Sequence, residues 1–331
     1  MTLSLFFRAS LLPALLPALL MVPATPALAD TGNQWINKIQ QAGNHTSYEG
    51  TFVYRQGDQM EVMRIAHRAN KNGIREKLVS LNGWAREIIR NNDEVVCYLP
   101  DKKAVMAGHR SGRPIEQTKF PAILPDNVER LNKSYRISST KAERIASRPT
   151  VLVSIDPRDS FRYGYRFWAD KSTGLLLKSD LVDSNGKTIE QFMFTDINIG
   201  HPIKDKDLQP SYSGKGMVWH RTGNDSAEKV PDSEDWQVHD LPPGFRVTGR
   251  MIRDVPGKPH PVTHLVISDG LAAVSVFIEN TVSPDKNSGP MVTSMGAAHA
   301  YRASMNGHQI TAVGEVPAST VEQIGRSLTD H

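Results

Sequence analysis

Cysteine is almost missing from this chain. Cys97 is the only one in 331 residues, which excludes an intramolecular disulfide and any zinc or iron–sulfur site built on cysteines. Aromatics are sparse, at 7%. Neither charge dominates: 39 Lys and Arg stand against 35 Asp and Glu, a net of +4. That field is too weak to argue for nucleic acid as a partner. After the first 29 residues no apolar run is long enough for a membrane helix. The signatures of catalysis are also absent. There is no Gly-x-Ser-x-Gly elbow, no phosphate-cradling Gly-x-x-x-x-Gly-Lys, no Gly-x-Gly-x-x-Gly and no His-Glu-x-x-His. His260 and His264 are four apart but flank Pro261 in a strand-like run, where no helix presents them together. The carboxylate pairs Asp205/Asp207 and Glu234/Asp235 fall in polar stretches and read as solvated. No catalytic residue, metal or cofactor is expected, and Cys97, within Val95–Leu99, reads as an inert core thiol.

The N-terminus carries an address. Arg8 is its one charge, an apolar stretch runs from Leu11 to Val22, and Ala27-Leu28-Ala29 has the small-x-small form of a cleavage site. Residues 1–29 are therefore read as a signal peptide, and no cysteine lies at the cut to take a lipid. Export to a bacterial periplasm follows.

With 39% hydrophobic residues the chain can bury a core. A short helix is expected over Asn33–Gly43, with Trp35, Ile36 and Ile39 on one face. Period-two segments follow, separated by Gly57-Asp58, Asn72-Gly73, Asn82-Gly83 and Asn92-Asp93, the turn pairs of an antiparallel meander. Strands resume at Tyr135–Lys141, Thr150–Ile155, Phe161–Ala169, Leu175–Val182 and Thr188–Thr195. Periodicity is lost over 204–231, read as a linker with Met217–Trp219 as a docked patch or edge strand. A second β-rich unit follows over 232–331. Its last helix, Pro317–Leu328, shows Ser319 and Glu322 at capping-box spacing. The class is α+β, with antiparallel sheets in both domains.

Two features point to binding. Phe161, Tyr163, Tyr165 and Phe167 alternate onto one face of a strand with Arg162 and Arg166 on the other, and Tyr48, Phe52 and Tyr54 form a similar row. Such rows pack a sheet onto the Trp35 helix, or line a partly open face for an acyl chain at roughly 0.8 kcal/mol per buried methylene. The stretch Arg110–Arg148 holds nine Lys and Arg against four acids, a local net of +5 that suits a lipid phosphate or an acidic partner, or simply a solvated surface.

Several runs resemble the MucB/RseB family. They are Tyr48-Glu49-Gly50-Thr51-Phe52-Val53-Tyr54, Arg86–Arg90, Val95–Asp101, Tyr165–Trp168, Lys171–Leu175, Ser268–Ala272, Phe277–Glu279 and Val313–Pro317. None is a catalytic signature, and their shared order along the chain is what makes the resemblance specific. It implies a large N-terminal domain (30–203) similar to the lipoprotein carriers LolA and LolB, an unclosed antiparallel β-barrel around helices. A linker (204–231) and a smaller α+β domain (232–331) would follow. The implied function is regulatory: binding the periplasmic part of a membrane-spanning anti-sigma factor, shielding it from proteolysis, and release by lipopolysaccharide or another lipid. An envelope-stress sigma factor, in the Pseudomonas-type case one acting on alginate biosynthesis, would then stay sequestered. A homo-oligomer is expected. The competing reading is a periplasmic lipid or lipoprotein carrier without a signalling role. By strand face, Phe52, Tyr54, Tyr163, Tyr165 and Phe167 are the candidates for lipid, and Arg250, Arg253 and Phe277 those for the protein partner.

Overall fold

The computed structural model describes residues 31–109, 128–221, 228–229, 236–253, 260–280 and 289–330. The expected signal peptide and the stretch from Arg110 to Asn127 lie outside the described residues. The chain opens on helix α1 (Gly32–His45), held at its start by a reciprocal cap between Thr31 and Gln34. Gly43 does not stop this helix, which runs on through His45.

Eleven strands of the large sheet then follow in two groups. The first is β1 (Tyr48–Gln56), β2 (Gln59–Asn70), β3 (Gly73–Ser80), β4 (Glu87–Asn91), β5 (Glu94–Leu99) and β6 (Ala104–His109). Helix α2 (Val128–Ser134) precedes the second: β7 (Tyr135–Ile145), β8 (Arg148–Pro157), β9 (Gly164–Asp170), β10 (Leu176–Val182) and β11 (Thr188–Ile199). A twelfth strand, β12 (Val218–Arg221), completes the order β12-β6-β5-β4-β3-β2-β1-β11-β10-β9-β8-β7. Each pair is antiparallel except β12 with β6, which is parallel. The sheet is open, with β7 and β12 as its edges, and it wraps α1 and α2. Trp35, Ile36 and Ile39 of α1 and Leu131 of α2 bury against Tyr135, Val153, Ile155 and Phe167. Phe52, Phe192 and Phe194 make edge-on contacts in a neighbouring cluster with Met63 and Ile65.

Residues 204–221, expected as linker, are packed on the large sheet. Lys77 donates to the Gln209 carbonyl at 2.7 Å, the Ser211 amide donates to Glu87 at 2.6 Å, and Tyr98 lies between Tyr212 and Trp219. The segment lacks periodicity because it is held by single anchors, not by a face.

The small sheet has the order β13 (Glu228–Lys229), β15 (Arg246–Arg253), β16 (Val262–Ser268), β17 (Ala273–Asn280), β20 (His308–Gly314), β19 (Ala298–Met305) and β18 (Met291–Met295). Helix α3 (Ala318–Arg326) packs Val321 and Ile324 against Val274, Val276, Ile310 and Ala312. Its N-cap is Pro317, and the capping box expected from Ser319 and Glu322 does not form. Strands β14 (Trp236–Val238) and β21 (Leu328–Asp330) pair beside it.

Candidate functional site at the seam between the sheets

The aromatic rows do not act as one surface. Phe52 and Phe167 are each 1% exposed and fill separate parts of the interior. Tyr54, Tyr163 and Tyr165 run toward the small sheet. Tyr163 packs with Leu181, Ile189 and Tyr165 against Ala297 of the small sheet, and its hydroxyl lies 3.5 Å from His299 Nδ1. The Tyr54 hydroxyl donates to Glu190 at 2.8 Å. Burial, with the Glu190 carboxylate adding to it, pushes that hydroxyl above its ordinary pKa, so it stays a donor.

The expected strand over Phe161–Ala169 begins only at Gly164, and the difference has a physical cause. Phe161 leaves the large sheet to join the small sheet's core, and its carbonyl accepts from Thr320 Oγ1 of α3 at 2.9 Å. Arg162 turns with it. Its side chain is 0% exposed and reaches Asp269 in the β16–β17 turn, Asp159 at 2.9 and 3.0 Å, and the Pro243 carbonyl. The guanidinium also lies 4.8 Å from the Phe245 ring centroid and 5.5 Å from that of Tyr135.

Asp269 is prepared for this role. One carboxylate oxygen accepts the amides of Leu271 and Ala272, each at 2.8 Å. The other takes Arg162 and the Tyr135 hydroxyl, the latter at 3.0 Å. Gly244 completes the close approach: at φ +84 it lies where a Cβ would strike Ser134 Oγ. The seam is therefore pinned by a buried, hydrogen-bonded ion pair, the arrangement in which removing one partner is costly.

The three residues expected to meet a protein partner do not converge. Phe277 stacks on His264 (4.4 Å between ring centroids) on one face of the small sheet. Arg250 pairs with Leu265 on the core side and donates to the Trp236 carbonyl at 2.9 Å. Arg253 ends β15, and its side chain is outside the described residues. Sequence reasoning placed Arg162 on the outward face of a strand and did not single out Asp269 or Tyr135. Among the described residues no three of His, Cys, Asp or Glu are grouped to hold a metal, and no helix is long and apolar enough to cross a membrane.

These features define a two-sheet binding protein: an open twelve-stranded sheet around helices, joined through a buried polar pin to a seven-stranded sheet with its own helix. The chain belongs to the MucB/RseB family. Residues 31–212 match the MucB/RseB N-terminal domain and 230–329 the C-terminal domain. The chain is 32% identical over 327 residues to the sigma factor AlgU regulatory protein MucB of Pseudomonas aeruginosa, covering 97% of each. To the sigma-E factor regulatory protein RseB of Escherichia coli K12 it is 25% identical, covering 98% of this chain and 97% of that one. The solved complex of Pseudomonas aeruginosa MucA and MucB contains a similar chain, with 28% identity, a TM-score of 0.71, and coverage of 91% of this chain and 99% of that one.

Proposed function

We propose that this protein is a periplasmic regulator that binds the periplasmic part of a membrane anti-sigma factor and keeps the cognate sigma factor inactive by protecting that partner from proteolysis. The observation that carries this reading is end-to-end similarity, across both domains, to proteins named as sigma factor regulators, one of them solved with MucA. Lipopolysaccharide or a related lipid is the releasing signal. The division of labour is 30–203 for lipid, 204–231 as connector and 232–331 for the partner. The protein acts by binding, without catalysis.

Physically, the mechanism is mutually exclusive occupancy: a lipid releases the partner only through its difference in affinity for the free and bound forms. The seam supports a route for that coupling. Tyr135 belongs both to the cluster under α1 and α2 and to the Arg162–Asp269 pin. A ligand that displaces α1 or α2 therefore strains the contact that holds the small sheet. The test is a cleavage assay. The partner's periplasmic segment is incubated with the site-1 protease with and without this protein. Slower cleavage in its presence, reversed by lipopolysaccharide, is expected; cleavage at one rate throughout would leave the carrier alternative.

A further inference from the structure

At one end of the large sheet the β1–β2, β3–β4 and β5–β6 connections lie side by side, and β12 begins next to them. Large apolar side chains stand out from this end. Met60 is 56% exposed, Leu81 45%, Trp84 75% and Val218 60%. The backbone that carries them is clamped. Asn82 Nδ2 donates to the Met60 carbonyl at 2.9 Å, and Asn82 Oδ1 accepts from the Val62 amide at 2.6 Å. The Leu81 amide donates to the Val62 carbonyl at 2.7 Å, and the Ala85 amide donates to Asp101 Oδ2 at 2.8 Å. The Val218 amide donates to the Lys103 carbonyl at 2.8 Å, which ties the start of β12 to the same end. The tips of these turns stand free: a Cβ added at Gly57 or Gly83 would meet no atom within 4 Å. Folding thus holds an indole in water on an ordered turn. A single exposed apolar residue is ordinary, but a cluster on neighbouring turns marks a contact surface.

The same turns are basic. Lys102, Lys103 and Lys215 are exposed, and with Arg55 they outnumber Asp58 and Asp101. Glu61 adds no free charge, because it pairs with Arg86. We propose that this end of the large sheet docks on an anionic bilayer surface, with Trp84, Leu81 and Met60 entering the headgroup layer and Lys102 and Lys103 lying over lipid phosphates. Shape favours a bilayer over a protein partner. Turn tips are convex, and a headgroup layer yields to them where a protein would need a matching groove. Composition agrees, since an indole at headgroup depth with ammonium groups beside it is the pattern of an interfacial anchor. So few apolar side chains give a weak, reversible anchor, assisted by an attraction that salt screens. The surface is separate from the interior cluster under α1 and α2, which this contact leaves undisturbed.

This inference goes beyond the regulatory reading and does not rest on it, because its test contains no anti-sigma factor. Residues 30–331 are sedimented with sucrose-loaded vesicles at low and high salt. One set of vesicles is phosphatidylglycerol with phosphatidylethanolamine, and the other is phosphatidylcholine alone. Partition onto the anionic vesicles that high salt weakens is expected, with little onto the neutral ones. Trp84→Ala should lower the anionic partition coefficient about tenfold, and Trp84→Phe should keep most of it. Lys102→Gln with Lys103→Gln should lower it by on the order of tenfold. Thermal midpoints should match the parent's, and Leu81→Ser serves if Trp84→Ala shifts its own. A parent that stays off anionic vesicles would overturn the proposal. So would undiminished partition of the Trp84→Ala and double-lysine variants, which would put the lipid contact elsewhere. Self-association without vesicles that Trp84→Ala abolishes would also overturn it, by making these tips a contact between copies of the chain.

Discussion

At the scale of single residues, the chain's unusual expense is a fully buried guanidinium. Burying Arg162 is tolerable because Asp159, Asp269 and the Pro243 carbonyl satisfy it and two rings flank it. Asp269→Asn removes the compensating charge while leaving the guanidinium in place. Chemical denaturation should show a loss of about 3–5 kcal/mol, and the double change Arg162→Met with Asp269→Leu should recover much of it. A loss below 1 kcal/mol in the single variant would mean that Asp269 is not the pin. Asp170 offers a pH test elsewhere. Against the cost of desolvation, hydrogen bonds from Arg148, Ser172 and Thr173 hold its carboxyl down to about 2. A depressed carboxyl stabilises above its ordinary range, and that contribution disappears as pH falls toward 2. Denaturation midpoints between pH 5 and 2 should therefore fall less steeply in Asp170→Asn than in the parent. None of this was readable beforehand. Arg162 and Asp269 are 107 residues apart, and an arginine inside an alternating aromatic run reads as the outward member of a strand.

At the scale of elements, legibility followed range. The turn Asn306-Gly307 sits at φ 48 and 80, as that dipeptide predisposes, and the strands on either side lie where alternation puts them. Trp84 opens the period-two segment between Asn82-Gly83 and Asn92-Asp93, yet it is 75% exposed in the loop before β4. Strand β12 was ambiguous because its partner β6 lies more than a hundred residues earlier and runs parallel, so no hairpin signal announces it. Trp219 anchors that strand through Tyr98 and the Gly214 carbonyl. Trp219→Ala should raise amide exchange in β12 and β6 while leaving the small sheet's exchange unchanged; unchanged protection in β6 would show that the strap is ornamental to the large sheet. Edge strand β7 of the large sheet and edge strand β18 of the small sheet differ in kind. Strand β7 carries Arg136, Lys141, Glu143 and Arg144 along an edge, whereas β18 (Met-Val-Thr-Ser-Met) is exposed throughout and uncharged. Charges on an edge block pairing with another chain, and their lack invites it. Sedimentation should show concentration-dependent self-association that Val292→Lys abolishes without shifting the thermal midpoint. Identical sedimentation of the two would remove β18 as the contact.

At the scale of the whole molecule, two sheets, each with its own buried cluster, are tied by a buried pin of opposite charge. Family membership was readable from the order of short runs along the chain. The joint was not, because its residues gain their meaning only when the two sheets meet. The most direct measurement of the regulatory reading is calorimetry of this protein against the periplasmic segment of its anti-sigma partner, with and without lipopolysaccharide. Tight binding that lipid weakens is the expected result; no binding to the segment, with lipid still bound, would contradict it.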